Sequence, residues 1–322
     1  MILSGPDIVA IVIYFSALFG TLANLIILFV FISNAVKQKV FQPLDRIIVN
    51  MAFVNLLLCC YKEIPGLLVF FDSKVFGSVG CRILLYVYHT FRLVSIWSVE
   101  NLSFLHLIKI RRPGLRWSKF IYRHQGQYVN WTLAVCWVIS ITLHMPYLLY
   151  KDQGAPQNKS SSLLVTSTNC ISPSESMLLK LLTYATVTLD FVLIIIVILL
   201  NGFIIDLIFR HRRQVRDTTT IRQGWNKHTA QATKILLSLL SLYVICWISS
   251  DMVWIAIVSG IIQDDYENDM LSALYGILSS IYYSVSACII VFGYRQVKDY
   301  LVQASCCCRC RSTMPTTIQT IH

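Results

Sequence analysis

The sequence predicts an all-α membrane protein in which seven transmembrane helices form a bundle and a short amphipathic eighth helix follows. Three observations carry this prediction: the composition, seven long apolar stretches, and the placement of the cations. Of the 322 residues, 56% are hydrophobic and 13% are charged, whereas soluble domains carry about 25% charged residues. The formal net charge of +11 could indicate a nucleic-acid partner. The cations lie in short loops between apolar stretches, however, so we assign them to membrane topology and expect no nucleic acid.

Seven stretches have the length and apolar character of bilayer-spanning helices, for which about 20 residues suffice. They cover Ile8–Ile32, Leu44–Phe71, Cys81–Ile110, Tyr128–Tyr150, Met177–Phe209, His228–Ser259 and Met270–Phe292. Their connections are mostly short, which favours antiparallel neighbours. We therefore expect one transmembrane domain over residues 1–292 and a cytoplasmic segment over 293–322.

The orientation follows from the lysines and arginines. Twenty of the 27 fall on one side of the predicted bundle, and seven fall on the other side or in the adjoining halves of the spans. Cytoplasmic loops carry the excess of cations. The sequence thus predicts an outer N-terminus and a cytoplasmic C-terminus.

The third stretch is the axis of the predicted bundle, because it carries charges that a lipid-facing helix would not contain. Arg92, Glu100 and His106 lie within it, and such residues usually face a bundle interior or a water-filled cavity. Arg92 lies about three turns below Cys81, at the depth of a pocket floor. Its guanidinium suits a carboxylate, sulfate or phenolate of a ligand. An internal pair with an acid such as Glu63 is the alternative.

Asp190 and Asp251 are further charges within apolar stretches. Each could pair with Arg92 or Lys180, or meet an amine ligand, and one sequence leaves these alternatives open. Aromatic residues in the same spans suit an apolar small-molecule site with a few polar anchors. The predicted ligand-binding set is Glu63, Tyr88, His89, Arg92, Asp190, Trp254 and Tyr275.

Enzymatic, cofactor and metal chemistry find no support in the motifs. The sequence contains no GxSxG, HExxH, phosphate-binding loop or dinucleotide fingerprint. No spacing of cysteine and histidine is typical of zinc. The chain also shows no inverted repeat, which is the usual mark of a transporter. We therefore expect a protein that is not an enzyme and needs neither cofactor nor metal.

Several motifs resemble those of vomeronasal type 1 receptors and their fish relatives, the class-A-related olfactory receptors. GSVGC at Gly77–Cys81, RLVSI at Arg92–Ile96 and the Leu102-Ser103 pair are similar to that family's third helix. HRRQVRD over residues 211–217 is similar to its basic stretch after the fifth helix. Leu105-His106-Leu107 replaces the acidic-Arg-aromatic triplet of rhodopsin-like receptors, and Asn-Pro-x-x-Tyr is absent. Bitter-taste receptors share both absences and are the second resemblance.

The resemblance implies a chemosensory G-protein-coupled receptor in the plasma membrane of an olfactory or vomeronasal cell. It would bind a small odorant or pheromone, and Arg92 suggests an acidic one. A heterotrimeric G protein would bind the cytoplasmic side, at His106, Lys109, Arg111, Arg112, Arg213 and Arg216. A non-sensing co-receptor or scaffold is the alternative from another class.

Covalent modifications are also expected. The resemblance implies a disulfide between Cys81 and Cys170, and Asn158 lies in an N-glycosylation sequon of an outer loop. Tyr294, Val297 and Leu301 recur at helical spacing, which predicts the amphipathic helix after the seventh span. Juxtamembrane cysteines beside such a helix are candidates for palmitoylation. These cysteines are Cys306, Cys307, Cys308 and Cys310.

Overall fold

Seven long helices, two short ones and a last helical segment over residues 297–302 build the part of the chain that the structure describes. A computed structural model describes residues 5–70, 78–110, 116–149, 177–216, 223–259, 265–294 and 297–302. The long helices are α1 (Gly5–Gln38), α2 (Pro43–Phe70), α3 (Ser78–Ile110), α5 (Gln125–His144), α7 (Met177–Arg216), α8 (Gln223–Ser259) and α9 (Asp265–Gly293). The short helices are α4 (Arg116–Arg123) and α6 (Pro146–Leu149). No strand occurs within these ranges, so the all-α prediction is confirmed.

Six of the long helices are apolar and long enough to cross a membrane, and α3 falls outside that set. Arg92, Glu100 and several smaller polar residues lower the apolar character of α3. This helix contacts α2, α5, α6 and α7, which surround it. Because its neighbours shield it from lipid, α3 does not need a uniformly apolar surface. It has the central place that its charges predicted.

The other long helices form a ring around α3. Helix α1 packs between α2 and α9, α9 packs on α8, and α8 packs on α7. Their inward faces form one apolar core, in which Ile27, Ile48 and Val94 are fully buried. Large apolar side chains such as Phe15 and Phe203 are exposed on the outside. An apolar exterior of this kind suits contact with lipid tails.

Hydrogen bonds between amide and hydroxyl side chains connect the helices in the core. The Asn50 amide of α2 donates to Ser98 Oγ of α3 over 2.9 Å and accepts from Trp137 Nε1 of α5 over 3.0 Å. Ser95 Oγ of α3 donates to Asn55 Oδ1 of α2 over 2.8 Å. Interhelical hydrogen bonds of this type contribute to helix association where lipid replaces water. They join α2 to α3 and to α5.

The fourth predicted span is present as one apolar stretch, Gln125–Leu148, and carries a one-residue turn near its end. Helix α5 ends at His144, Met145 forms a turn, and Pro146 begins α6. Proline has no N–H to donate, and its ring collides with the carbonyl four residues earlier. The helix therefore breaks here, where the apolar pattern predicted one continuous span to Tyr150. Helix α4 was not predicted, because its eight residues, RWSKFIYR, are amphipathic and too few to cross a membrane.

The predicted amphipathic helix is present over residues 297–302. Val297 is buried, while Lys298 and Asp299 are exposed. The rings of Tyr294 and Tyr300 pack edge-on against Phe31 and Phe29 of α1, with centroids 6.0 and 5.8 Å apart. One face of this segment thus contacts the bundle, as the spacing of its apolar residues predicted.

Candidate ligand-binding site

A buried ion cluster joins α3, α7 and α8. Arg92 Nη2 lies 2.9 Å from Asp190 Oδ2 of α7 and hydrogen-bonds to Asp251 Oδ1 of α8. The three side chains are at most 4% exposed. The guanidinium carbon also lies over the Trp247 ring, 4.6 Å from its centroid, which is a cation–π contact. We call Arg92, Asp190 and Asp251 the Arg92 cluster.

The Arg92 cluster has an unbalanced charge. It holds one guanidinium and two carboxyl groups, so its formal charge is −1 when all three are ionised. Among the side chains whose exposure the structure describes, no other lysine, arginine, aspartate or glutamate is buried. Asp251 Oδ2 is buried and has no hydrogen-bond partner among the described residues. An uncompensated charge in a low-dielectric interior is strongly unfavourable.

Aromatic rings cover the neighbouring part of the site. The His89 ring stacks on Tyr147 with centroids 4.8 Å apart, and lies 5.2 Å from both Trp254 and Tyr88. The Tyr275 hydroxyl donates a hydrogen bond of 2.9 Å to the Tyr88 hydroxyl. All five residues are at most 2% exposed. We call Tyr88, His89, Tyr147, Trp254 and Tyr275 the aromatic cluster.

Helical spacing explains why the two clusters adjoin. His89 and Arg92 are three residues apart on α3, and Asp251 and Trp254 are three apart on α8. Residues with this spacing lie on the same helix face. The break at Pro146 lets Tyr147, in α6, turn toward α3. Helices α3 and α8 thus each supply a charged group and aromatic rings to a common site.

A small cavity of about 10 Å³ lies beside the ions. This is the room of roughly one water molecule. Its wall consists of residues from α3, α5 and α7, namely His89, Arg92, Leu93, His144, Thr186, Leu189 and Asp190. His89 Nε2 is buried there without a hydrogen-bond partner among the described residues. The site is therefore closed, with space for a small polar group only.

Most of the predicted ligand-binding residues lie together. Tyr88, His89, Arg92, Trp254 and Tyr275 meet in the two clusters, with Asp190 paired to Arg92. The seventh, Glu63, belongs to the last third of α2, and its side chain lies outside the described atoms. The pairing of Arg92 with Asp190, one of the open alternatives, is present.

Sequence reasoning missed several members of the site. Trp247 under the guanidinium is one of many aromatic residues in the spans, and nothing in the sequence distinguished it. His144 and Tyr147 were not predicted, but two signals could have indicated them. These are Pro146 and the presence of a histidine within an apolar stretch. Asp251 was recognised as an intramembrane charge, yet we did not place it in the ligand-binding set. Its contact with Arg92 depends on how α8 is rotated against α3, which hydropathy does not determine.

The predicted coupling residues are described only in part. His106 is half-buried, with Nδ1 3.0 Å from the carbonyl oxygen of Leu102, and Lys109 is exposed near the end of α3. Arg111 and Arg112 fall outside the described residues. Arg213 and Arg216 belong to the last turns of α7, and their side chains are not described. The role of these six residues stays a prediction.

The predicted modification sites also lie outside the described atoms. Cys170, Asn158 and the four cysteines of the tail belong to ranges that the structure leaves undescribed, as does the Cys81 side chain at the start of α3. The disulfide, the glycan and the lipid anchors therefore remain predictions.

Comparison with known proteins identifies similar chains. The model of the vomeronasal organ pheromone receptor family matches residues 8–302. Olfactory receptor class A-like protein 1 of Danio rerio is 25% identical over 289 residues, which cover 89% of each chain. Vomeronasal type-1 receptor 3 of Homo sapiens is 24% identical over 69% of this chain and 73% of its own length. A Gq-coupled rhodopsin of Mizuhopecten yessoensis is 24% identical over 74% of this chain and 48% of its own length.

Proposed function

We propose, from the premise that this chain belongs to the vomeronasal organ pheromone receptor family, that a small molecule bound at the two clusters triggers a heterotrimeric G protein. Membership makes the chain a chemosensory G-protein-coupled receptor with several membrane passes, and not an enzyme. The seven-helix bundle and the resemblance predicted from the sequence are thereby confirmed. The plasma membrane of an olfactory or vomeronasal cell, the ligand and the G protein are parts of the proposal.

The observation that carries the proposal is the contact of one arginine with acids on two other helices. Arg92 of α3 holds Asp190 of α7 and Asp251 of α8 at the same guanidinium nitrogen. A ligand group that binds either acid or the guanidinium changes the balance of forces between these helices. A ligand shifts a conformational equilibrium only by its different affinity for the two states. The Arg92 cluster supplies such a difference, because its pairs depend on helix position.

The aromatic cluster supplies the apolar part of the site. Small-molecule sites combine hydrophobic and aromatic walls with a few polar groups that fix orientation. Tyr88, His89 and Trp254 are the walls, and the Arg92 cluster is the polar anchor. The closed cavity corresponds to a resting receptor, in which a ligand has to separate α3 from α7 to gain room.

The cytoplasmic part of the proposal concerns the predicted coupling residues. In the orientation predicted from the cations, the ends of α3 and α7 that carry Lys109, Arg213 and Arg216 face the cytoplasm. Movement of α7 and α8 at the ion cluster would be transmitted along these helices to that surface. His106, at the inner end of α3, would then adjust the level of basal coupling.

A signalling assay in transfected cells tests this function. Cells with the receptor at the surface are exposed to a panel of aromatic acids, steroids, amines and neutral odorants while G-protein dissociation is recorded. We expect at least one class to produce a response that Asp190→Asn weakens and Asp206→Asn leaves intact. Asp206 is the matched control because it is an exposed aspartate of α7, paired with Arg210. A surface-expressed receptor that responds to no class would instead support the co-receptor or scaffold alternative.

A further inference from the structure

We propose that the Arg92 cluster and the cavity beside it bind the ammonium group of a small organic amine. This inference rests on the proposed function, since it names the ligand class of the same site. Four features carry it: the charge of the cluster, the unpartnered acceptors at the site, the size of the cavity and the adjoining aromatic cluster.

The charge of the cluster favours a cation over an anion. When both acids and the guanidinium are ionised, an arriving ammonium brings the formal charge to zero, whereas an arriving carboxylate brings it to −2. Coulomb interactions at a few ångströms are strong in a low-dielectric interior. The expectation of an acidic ligand assumed that Arg92 had a place for a further carboxylate. Asp190 and Asp251 already contact Nη2 of this arginine.

The acceptors needed by an ammonium group are present and buried. Asp190 and His89 both line the cavity, and His89 Nε2 has no hydrogen-bond partner among the described residues. In the neutral ring with its proton on Nδ1, this nitrogen accepts a hydrogen bond. Asp251 does not belong to the cavity wall, but its Oδ2 is a second buried acceptor of the Arg92 cluster without a partner in the described part of the chain. An ammonium group has three donors and no acceptor, which matches this set.

The cavity and its surroundings favour an organic cation. About 10 Å³ is enough for a group the size of one water, and an ammonium head is of that size. The rest of the wall is formed by Leu93, His144, Thr186 and Leu189. A hard metal cation requires several oxygen ligands, whereas an organic ammonium is also attracted to aromatic faces, which the adjoining aromatic cluster offers through Trp254. Its hydrocarbon part would displace side chains of the aromatic cluster.

Thermal unfolding of the purified full-length receptor tests the inference without signalling. The probes are 2-phenylethylammonium chloride, the neutral isostere 2-phenylethanol, sodium phenylacetate and sodium chloride, compared at equal ionic strength. Ligands that bind only the folded state raise its Tm. We expect 2-phenylethylammonium to raise Tm, and the other three probes to have no effect. Asp190→Asn should weaken this binding about ten- to a hundredfold, because a charged hydrogen bond is lost.

Any other outcome of the unfolding measurement overturns the inference. A larger rise of Tm with phenylacetate than with the amine would mean that the site binds acids. A rise of Tm with sodium chloride equal to that with the amine would mean that the site binds an inorganic cation. If the amine does not raise Tm, or raises it equally in the Asp190→Asn variant, the amine does not bind at this site. If Asp190→Asn does not fold, Asp251→Asn replaces it, and Asp206→Asn is the control for either. If the amine raises Tm but no ligand produces signalling, the inference holds and the proposed function is refuted. If only acids produce signalling, the proposed function holds and the inference is refuted.

Discussion

Tyr147 lies flat against His89, with ring centroids 4.8 Å apart and an angle of 2° between the ring planes. The two residues belong to α6 and α3, and they meet because the helix that precedes α6 breaks before Pro146. His144, the last residue of α5, stacks on the other rings at 5.8 Å from His89 and 6.0 Å from Tyr147. The turn before Pro146 thus lies where the rings of His144 and Tyr147 meet the ring of His89.

Replacement of Pro146 tests this relationship. Pro146→Ala restores a backbone N–H and removes the ring clash, so α5 should continue and rotate Tyr147 away from His89. We expect a weaker ligand response at normal surface expression, measured as a shift of the dose–response curve. Met145→Ala is the control, because this neighbouring side chain is about half exposed and the proline remains. An identical response in both variants would show that the break has no part in the site.

The Arg92 cluster predicts a large effect on stability. Arg92→Gln leaves two buried carboxylates without a cation, and loss of one partner from a buried ion pair costs about 3–5 kcal/mol. Both acids contact the same nitrogen of Arg92, so a single lysine ammonium can meet both carboxylates. Arg92→Lys should therefore retain more stability than Arg92→Gln. Thermal unfolding of the purified variants measures the order. Arg210→Gln, at an exposed pair, should change little, and a loss as large as that of Arg92→Gln would contradict the prediction.

Two glycines provide a matched test of helix packing. A Cβ on Gly20 of α1 would lie 2.7 Å from Cys59 Sγ and 3.2 Å from the Ser284 Cα, whereas one on Gly202 of α7 would meet nothing within 4 Å. Gly20→Ala should therefore destabilise the bundle by about 1–3 kcal/mol through overpacking. Gly202→Ala should stabilise α7 by up to about 1 kcal/mol through higher helix propensity. Chemical or thermal unfolding gives the sign of each change, and equal signs would refute this interpretation.

The Asn50 amide predicts coupling between two substitutions. Asn50→Ala removes its bonds to both Ser98 and Trp137, each worth roughly 0.6 kcal/mol and at most about 1.7 kcal/mol inside a membrane. Trp137→Phe removes one of the same bonds. The double variant should therefore lose less stability than the two single variants together. Strict additivity in a thermal-unfolding cycle would mean that the bond between Asn50 and Trp137 contributes nothing.

The disulfide between Cys81 and Cys170 remains a prediction that a peptide map can decide. Both cysteines are predicted on the oxidising side of the membrane, where disulfides persist. A non-reduced digest of the surface-expressed receptor should contain one linked peptide joining the two. Cys81→Ser and Cys170→Ser should each remove that peptide and lower surface expression. Alkylation of both thiols without prior reduction would disprove the bond.

Much of the bundle followed from the sequence because hydropathy and charge act locally along the chain. An apolar run of sufficient length crosses the bilayer whatever its neighbours are, and so the spans were predictable. The positions of Arg92 and Glu100 identified α3 as the enclosed helix, because charges in lipid are costly. The motifs from Gly77 to Arg112 indicated the receptor family, because a local motif can be compared with that of other chains residue by residue.

Local patterns in the chain were enough to define the seven long helices, the central place of α3 and the presence of buried charges that need partners. They did not define which acids meet Arg92, that Trp247 lies under its guanidinium, or that Tyr147 reaches His89. These contacts depend on the rotation and offset of α6, α7 and α8 against α3. Apolar patterning constrains such rotation weakly, because lipid-facing and core-facing surfaces of a transmembrane helix are both apolar. The partners of a buried charge are therefore a property of the packed bundle.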